Sequence, residues 1–240
     1  MVKGVILNVR PANYRERFHA AFACVGWPIV DSPALAPETM GAVLPDPAGY
    51  DAIIFTSQVA LELLDGSTAW KDKTAYAVGA ATAEAARRAG FSKTNQTGFD
   101  AKDLAAALSD AGFRRALYPS AEDVSSDVSL DDPVRIHRLA IYRMTPAASL
   151  SPEARQAVRT GKRVIIPIFS RRSARTVARL LRDAGISAEN SDISAVAISQ
   201  DVFAGDPGPW QRRAVADNPT LEAVAAKTAA LAAEITSGAS

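Results

Sequence analysis

Two stretches of this sequence place a hydroxyl where an apolar run ends and a helical pattern begins. They are "AIIFTSQVALELL" (52–64), with Ser57, and "VIIPIFSRRSARTVARLL" (164–181), with Ser170. Serine at such a junction is a preferred helix-start cap. The newly opened helix also offers backbone N–H groups that suit an anion. A cap alone, and a cap whose neighbouring amides bind a ligand, both remain open for each serine. Arg171 and Arg172 follow the second turn directly, and Arg10 ends the first apolar run of the chain. Guanidinium groups there either pair with carboxylates or form a solvated face. Tyr142 lies in "VRIHRLAIYRM" (134–144). A tyrosine in an alternating strand usually packs, yet a phenol with a pKa near 10 can also give a proton or a hydrogen bond to a leaving oxygen.

Other chemistries find no residues to carry them. His19 and Cys24 sit in the first helical stretch and His137 in the "VRIHRLAIYRM" strand, with no second His or Cys at metal-ligand spacing, so no metal is expected. There is no G-x-S-x-G elbow, P-loop or G-x-G-x-x-G fingerprint. The chain has 240 residues, 48% hydrophobic and 22% charged, with a formal net charge of +1. That is an ordinary soluble composition with no basic footprint for nucleic acid. The single cysteine, Cys24, excludes a disulfide framework and fits a reducing compartment. The opening "MVKGVILNVRP" is too short in its apolar part for a signal peptide. No run approaches the roughly 18 apolar residues of a membrane helix. The expectation is a cytoplasmic protein with no membrane partner.

These residues must be positioned by alternating strands and helices. "VILNV" (5–9) reads as a strand, followed by a helix capped at Asn13 with Phe18, Phe22 and Val25 on one face. "WPIVDSPAL" (27–35) reads as a second strand and "APETMGAVLPDPAGY" as a Pro/Gly-rich connection. "DAIIFTS", "TAYAVG", "RRALYPS", "RVIIPIFS" and "ISAVAIS" are further strands, most with a helix after them, and "FDAKDLAAALSDAG" is a helix with Asp100 as its cap. Ser151 and Pro152 open another helix, and a last one begins near Thr220. "AEDVSSDVSLDDP" has no period and reads as an irregular loop.

The first seryl stretch matches the second, "AYAVGAATAEAA" (75–86) matches "ISAVAISQDVFA" (193–204), and "TGFDAKDLAAAL" (97–108) matches "ADNPTLEAVAAKTAAL" (216–231). Three elements repeated in order imply two similar α/β lobes, each a parallel sheet flanked by helices. Ligands of such sheets bind outside the carboxyl ends of the strands. Facing lobes would set Ser57 and Ser170 on opposite walls of one cleft.

"ILNVRP", "FTSQVALELL", "AVGAATAEAARRAGF", "AIYRMTP", the second seryl turn and "ADNPTLEAVAAKTAAL" together resemble the uroporphyrinogen-III synthase family over nearly the whole chain. The resemblance implies two flavodoxin-like lobes joined by a two-stranded connector. Residues 1–34 with 145–240 would form one lobe and 35–140 the other, with connector strands near 30–36 and 134–144. It implies an enzyme that cyclises the linear tetrapyrrole hydroxymethylbilane, expelling its terminal hydroxyl as water and inverting the last pyrrole ring through a spiro intermediate. No cofactor is implied. The substrate closes unaided with that ring uninverted, so orientation matters more than bond attack. Tyr142 and Thr82 become the implied catalytic residues. Arg10, Ser57, Gln58, Gly79, Thr82, Ser170, Arg171 and Arg172 become the implied substrate contacts. A monomer is implied, with possible hand-over of the bilane from porphobilinogen deaminase.

Two stretches depart from the family pattern. "SQDV" (199–202) stands where the family has Gly-Pro-Thr-Thr, and "PSAEDVSS" (119–126) where it has a Gly-rich turn; Pro119 offers no N–H. These departures sustain one rival, a two-lobed protein that binds a tetrapyrrole or another polycarboxylate without turning it over.

Overall fold

The computed structural model describes residues 4–64, 67–98, 101–123, 134–187, 192–204 and 208–238. In chain order its elements are β1 (Val5–Asn8), α1 (Arg15–Phe22), β2 (Ile29–Asp31), β3 (Leu35–Thr39), β4 (Ala52–Phe55), α2 (Gln58–Glu62), β5 (Thr74–Val78), α3 (Ala80–Arg88), β6 (Thr94–Thr97), α4 (Ala101–Asp110) and β7 (Arg115–Ala121). Then follow β8 (Arg135–Pro146), α5 (Pro152–Arg159), β9 (Val164–Ile168), α6 (Arg171–Asp183), β10 (Ile193–Ala197), β11 (Arg212–Val215) and α7 (Leu221–Ser237).

The chain divides into two compact units, Met1–Ala36 with Thr145–Ser240 and Pro37–Met144. It passes between them twice, inside β3 and inside β8, which are neighbours in one sheet. The first unit holds a five-stranded sheet in the order β11-β10-β9-β1-β2, every pair parallel. The second holds a six-stranded sheet in the order β3-β8-β7-β4-β5-β6, in which β8 to β6 run parallel.

Central strands that are apolar on both faces force this layering, because each face must be covered by helices. Along β1, Val5 and Leu7 enter one core cluster while Ile6 enters another. Along β4, Ile53 and Phe55 face one cluster and Ala52 and Ile54 the other. Phe18 and Phe22 of α1 stack with ring centroids 4.0 Å apart and are fully buried, each burial contributing about 2 kcal/mol.

The internal repeat has a definite spatial meaning. β4, β5 and β6 occupy in the second sheet the places that β9, β10 and β11 occupy in the first. The remaining places are filled by β7 and β8 in one unit and by β1 and β2 in the other. The spatial plan is therefore shared, but the chain enters it at different points. In the first unit the last two strands come from the N-terminus, which gives the flavodoxin-type order. In the second they follow β6, which gives the other doubly wound order.

Some local expectations need correction. The stretch 27–35 is not one strand: β2 ends at Asp31, and β3 starts at Leu35 in the other sheet. Ser32, Pro33 and Ala34 break the extension between them, and the expected Pro/Gly-rich connection from Ala36 begins as β3. Asn13 does not cap α1. It lies inside a 3-10 turn, Ala12–Tyr14, and the helix starts after Tyr14 with no side-chain cap. The β8 strand lies between β3 and β7. Ser151 does cap α5, its Oγ accepting from the Ala154 amide at 3.2 Å. The Asp100 cap and most of the "AEDVSSDVSLDDP" loop lie outside the described residues.

Asp51, just ahead of β4, accepts the backbone N–H groups of Arg114 and Arg115 at 2.8 and 2.9 Å. Those two amides hold its carboxyl below the usual carboxylate range. A depressed folded-state pKa stabilises above the unfolded value and loses that stabilisation as pH falls through the folded one. Asp51→Asn is therefore expected to shrink the loss of Tm on acidification from about pH 5 downward. The effect is small because the carboxylate is exposed. A Tm–pH series of the two proteins checks this, and parallel curves would contradict it.

Candidate functional site

Each sheet has a point where the chain order reverses, and the strand ends there are the natural ligand position. In the first unit it lies between β1 and β9, in the second between β4 and β7. Both seryl turns fall there, Ser170 after β9 and Ser57 after β4.

Arg10 leaves the carboxyl end of β1, and its guanidinium carbon stands 4.1 Å from the Tyr14 ring centroid and 4.4 Å from that of Phe169. Among the described residues no carboxylate pairs with it. Burial, with a smaller push from the Arg17 cation, lowers its pKa from the ordinary arginine value against an opposing pull from Tyr14. A half-buried cation held by aromatic faces, with no carboxylate on its fork of donors among the described residues, has the chemistry to take one.

Ser170 Oγ accepts the Ser173 amide at 3.1 Å and donates to Ser173 Oγ at 2.9 Å. It is a cap in full. Ser170→Ala is expected to cost about 1 kcal/mol of stability, read as a lower denaturation midpoint with unchanged m-value. An unchanged midpoint would show that the cap is dispensable. Arg171 does not offer a free charge, because its Nε lies 3.0 Å from Asp201 Oδ2. Asp201 comes from the divergent "SQDV" turn, so that departure ties the turns after β9 and β10 together. Arg172 is exposed on the first turn of α6.

In the second unit Ser57 Oγ accepts the Val59 amide at 3.2 Å, and Gln58 is the first residue of α2. The adjacent strand β5 ends at Val78, and Gly79 follows with a φ of 79° and ψ of 154° that are open to glycine alone. No side chain caps α3. Its first-turn amides are thus left for another acceptor. Thr82, in the same turn, is buried, and among the described residues its hydroxyl has no hydrogen-bond partner. Beside this end, Thr56 Oγ1 and the Tyr118 hydroxyl are 2.9 Å apart. Tyr142 pairs across from Ala121, at the carboxyl end of β7, and its carbonyl accepts the Glu122 amide at 2.7 Å. The ring is buried, 6% exposed, in the same core cluster as Phe55 and Ile141.

The expected residues thus gather in two sets, Arg10, Ser170, Arg171 and Arg172 in the first unit and Ser57, Gln58, Gly79, Thr82 and Tyr142 in the second. Two features were missed from the sequence. Arg138 of β8 donates to Ser120 Oγ at 3.1 Å and to the Ala121 carbonyl at 2.9 Å, shaping the turn after β7. Asp31 gathers Asn8, His19 and Arg15, with contacts of 2.7, 3.0 and 2.9 Å. Desolvation raises the Asp31 pKa, but the bonds from His19 and Asn8, with the charges of His19 and Arg15, outweigh it and hold the carboxyl below its ordinary value. The visible signal was Asn8, a polar residue inside an apolar strand. Among the described residues no group of His, Cys, Asp and Glu is arranged for a metal ion, and no helix is long and apolar enough to cross a membrane.

Comparison with known proteins gives these strand ends a context. No curated protein matches the chain. Uroporphyrinogen-III synthetase from Helicobacter pylori shares 18% identity over 95% of this chain and 99% of its own, with a TM-score of 0.63, which is a likeness of fold. The wild-type uroporphyrinogen III synthase of Thermus thermophilus shares 15% over 99% of this chain and 100% of its own, but its TM-score of 0.40 carries no weight. A family model described as uroporphyrinogen-III synthase HemD matches residues 16–226, a span that includes every expected site residue except Arg10. On that match the chain belongs to the uroporphyrinogen-III synthase family.

Proposed function

We propose that the chain cyclises hydroxymethylbilane to uroporphyrinogen III, with carboxylate arms of the substrate held at carboxyl strand ends. The observation that carries this reading is Arg10, a half-buried cation between two aromatic rings with no carboxylate of its own among the described residues. The uncapped first turn of α3, behind Gly79 and beside Thr82, is a second place for a carboxylate. Ser57, Gln58 and Arg172 are further contacts at the strand ends, and the Ser170–Arg171 turn contributes through its backbone amides while its side chains stay engaged.

Tyr142 gives its phenolic proton to the terminal hydroxyl of the bilane. The carbon–oxygen bond breaks, water departs, and a cationic azafulvene remains. The substituted α-carbon of the last ring attacks that carbon to give the spiro intermediate. The older bond, from the spiro carbon to the methylene bridge of the neighbouring ring, then breaks and re-forms at the free α-position, which inverts the ring. Loss of a proton, returned to the tyrosinate, closes the balance. The dipoles of Thr82 and of the helix starts stabilise the passing positive and negative charge without forming bonds. Position, more than reactivity, selects the inverted product over spontaneous closure.

The chain works as a cytoplasmic monomer and takes its short-lived substrate from porphobilinogen deaminase. A bacterial strain lacking its own uroporphyrinogen-III synthase tests the function. Expression of this chain is expected to restore growth without added haem, and failure with abundant folded protein would count against it.

A further inference from the structure

We propose that Asp31 is a positioning residue for Arg10, acting through the side chain of Asn8; this rests on the reading of Arg10 as a carboxylate-binding group. Asn8 and Asp31 are paired residues at the carboxyl ends of the parallel strands β1 and β2. Asn8 is 1% exposed, so both ends of its carboxamide must be satisfied inside the protein. Its Nδ2 donates to Asp31 Oδ1 at 2.7 Å, and its Oδ1 accepts the Arg10 backbone N–H at 3.1 Å.

The carboxylate decides which way the amide faces. A carboxylate only accepts, so the NH2 end must turn to Asp31 and the oxygen must turn to Arg10. The flipped amide would set oxygen against carboxylate and NH2 against N–H, two repulsive contacts in a buried place. With Asp31 present, the Arg10 amide is held, and with it the direction in which the chain leaves β1.

Asp31 acts on Arg10 by a second route. Its carboxylate oxygens lie 3.0 and 3.1 Å from His19 Nε2, and Oδ2 lies 2.9 Å from Arg15 Nε. Arg15 and His19 are four apart on one face of α1, so Asp31 fastens the helix that starts just after Tyr14. Tyr14 is one of the two rings on which the Arg10 guanidinium lies. One carboxylate therefore sets both the backbone of Arg10 and one wall of its slot.

A double-mutant cycle tests this. Asp31→Ala is expected to raise KM for hydroxymethylbilane about fivefold, with kcat within about twofold, and in an Arg10→Ala background the same change shifts KM less than about twofold. Asp31→Asn, whose carbonyl can still accept from Asn8, is expected to restore most of the loss. An equal KM rise in both backgrounds, or none in the parent where Arg10→Ala itself raises KM, would overturn the inference. Hydrogen exchange at the Arg10 amide reads the positioning without substrate. Asp31→Ala is expected to lose protection there while the β1–β9 ladder keeps its own, and full protection would overturn the inference. If Arg10→Ala left KM unchanged while this loss of protection was seen, the carboxylate reading of Arg10 would fail and the positioning would stand.

Discussion

Tyr142→Phe is expected to slow formation of the type III isomer by about a hundredfold, the low end of what a positioned proton donor contributes. The ring keeps its place in the core cluster with Phe55 and Ile141, so Tm should move little and KM should stay within about twofold. The measurement is single-turnover conversion of freshly made bilane at saturating protein. Because the substrate also closes unaided to the type I isomer, total porphyrin is the wrong readout. A rate within about threefold of the parent would remove Tyr142 from the chemistry and leave it as packing at the end of β8.

Arg10→Ala is expected to act on binding. Truncating one side of a desolvated charge pair costs about 2 kcal/mol or more, which is roughly thirtyfold in KM. The guanidinium lies between Tyr14 and Phe169, and loss of those contacts costs about 1 kcal/mol of stability as well. Arg10→Lys should recover only part of the affinity, since an ammonium has neither the planar fork nor the stacking face. Steady-state KM for the three proteins checks this. Equal KM values would show that substrate carboxylates are held by amides alone.

Much of the fold was legible because its central strands leave little choice. "AIIF", "VIIPI" and "VILN" are apolar almost throughout, and only a doubly covered parallel sheet accommodates such runs. The strands that escaped notice are polar and short. β6 is Thr-Asn-Gln-Thr and β11 is Arg-Arg-Ala-Val, each at the end of its sheet, where one side of the ladder faces solvent and apolar residues are not required. β3 was hidden for another reason: its first residue, Leu35, closes "WPIVDSPAL" and the rest falls in the Pro/Gly-rich stretch, after the break at Ser32–Pro33 has sent the chain to a different sheet. The different entry points of the chain into one spatial plan could not be read from three matched segments, since pairing of β7 with β4 and of β1 with β9 is long-range.

The site was legible in position more than in chemistry. Residue type placed Arg10, Ser57 and Ser170 at strand ends. It did not reveal that Ser170 is wholly engaged as a cap or that Arg171 has taken Asp201 as partner. Nor did it reveal that Gly79 leaves α3 uncapped. Each of these depends on which neighbour the folded backbone brings within about 3 Å. The Asp31–Asn8–Arg10 relay is of the same kind, with Asp31 and Asn8 lying 23 positions apart.

The account stands on ring inversion, since closure alone needs no enzyme. The direct measurement is the isomer ratio of the oxidised porphyrins formed from porphobilinogen and its deaminase, taken over increasing amounts of this chain. The account predicts a ratio that rises from type I toward nearly complete type III and saturates with added protein. A product that stays type I at every concentration, with protein shown to be folded by circular dichroism, would contradict it.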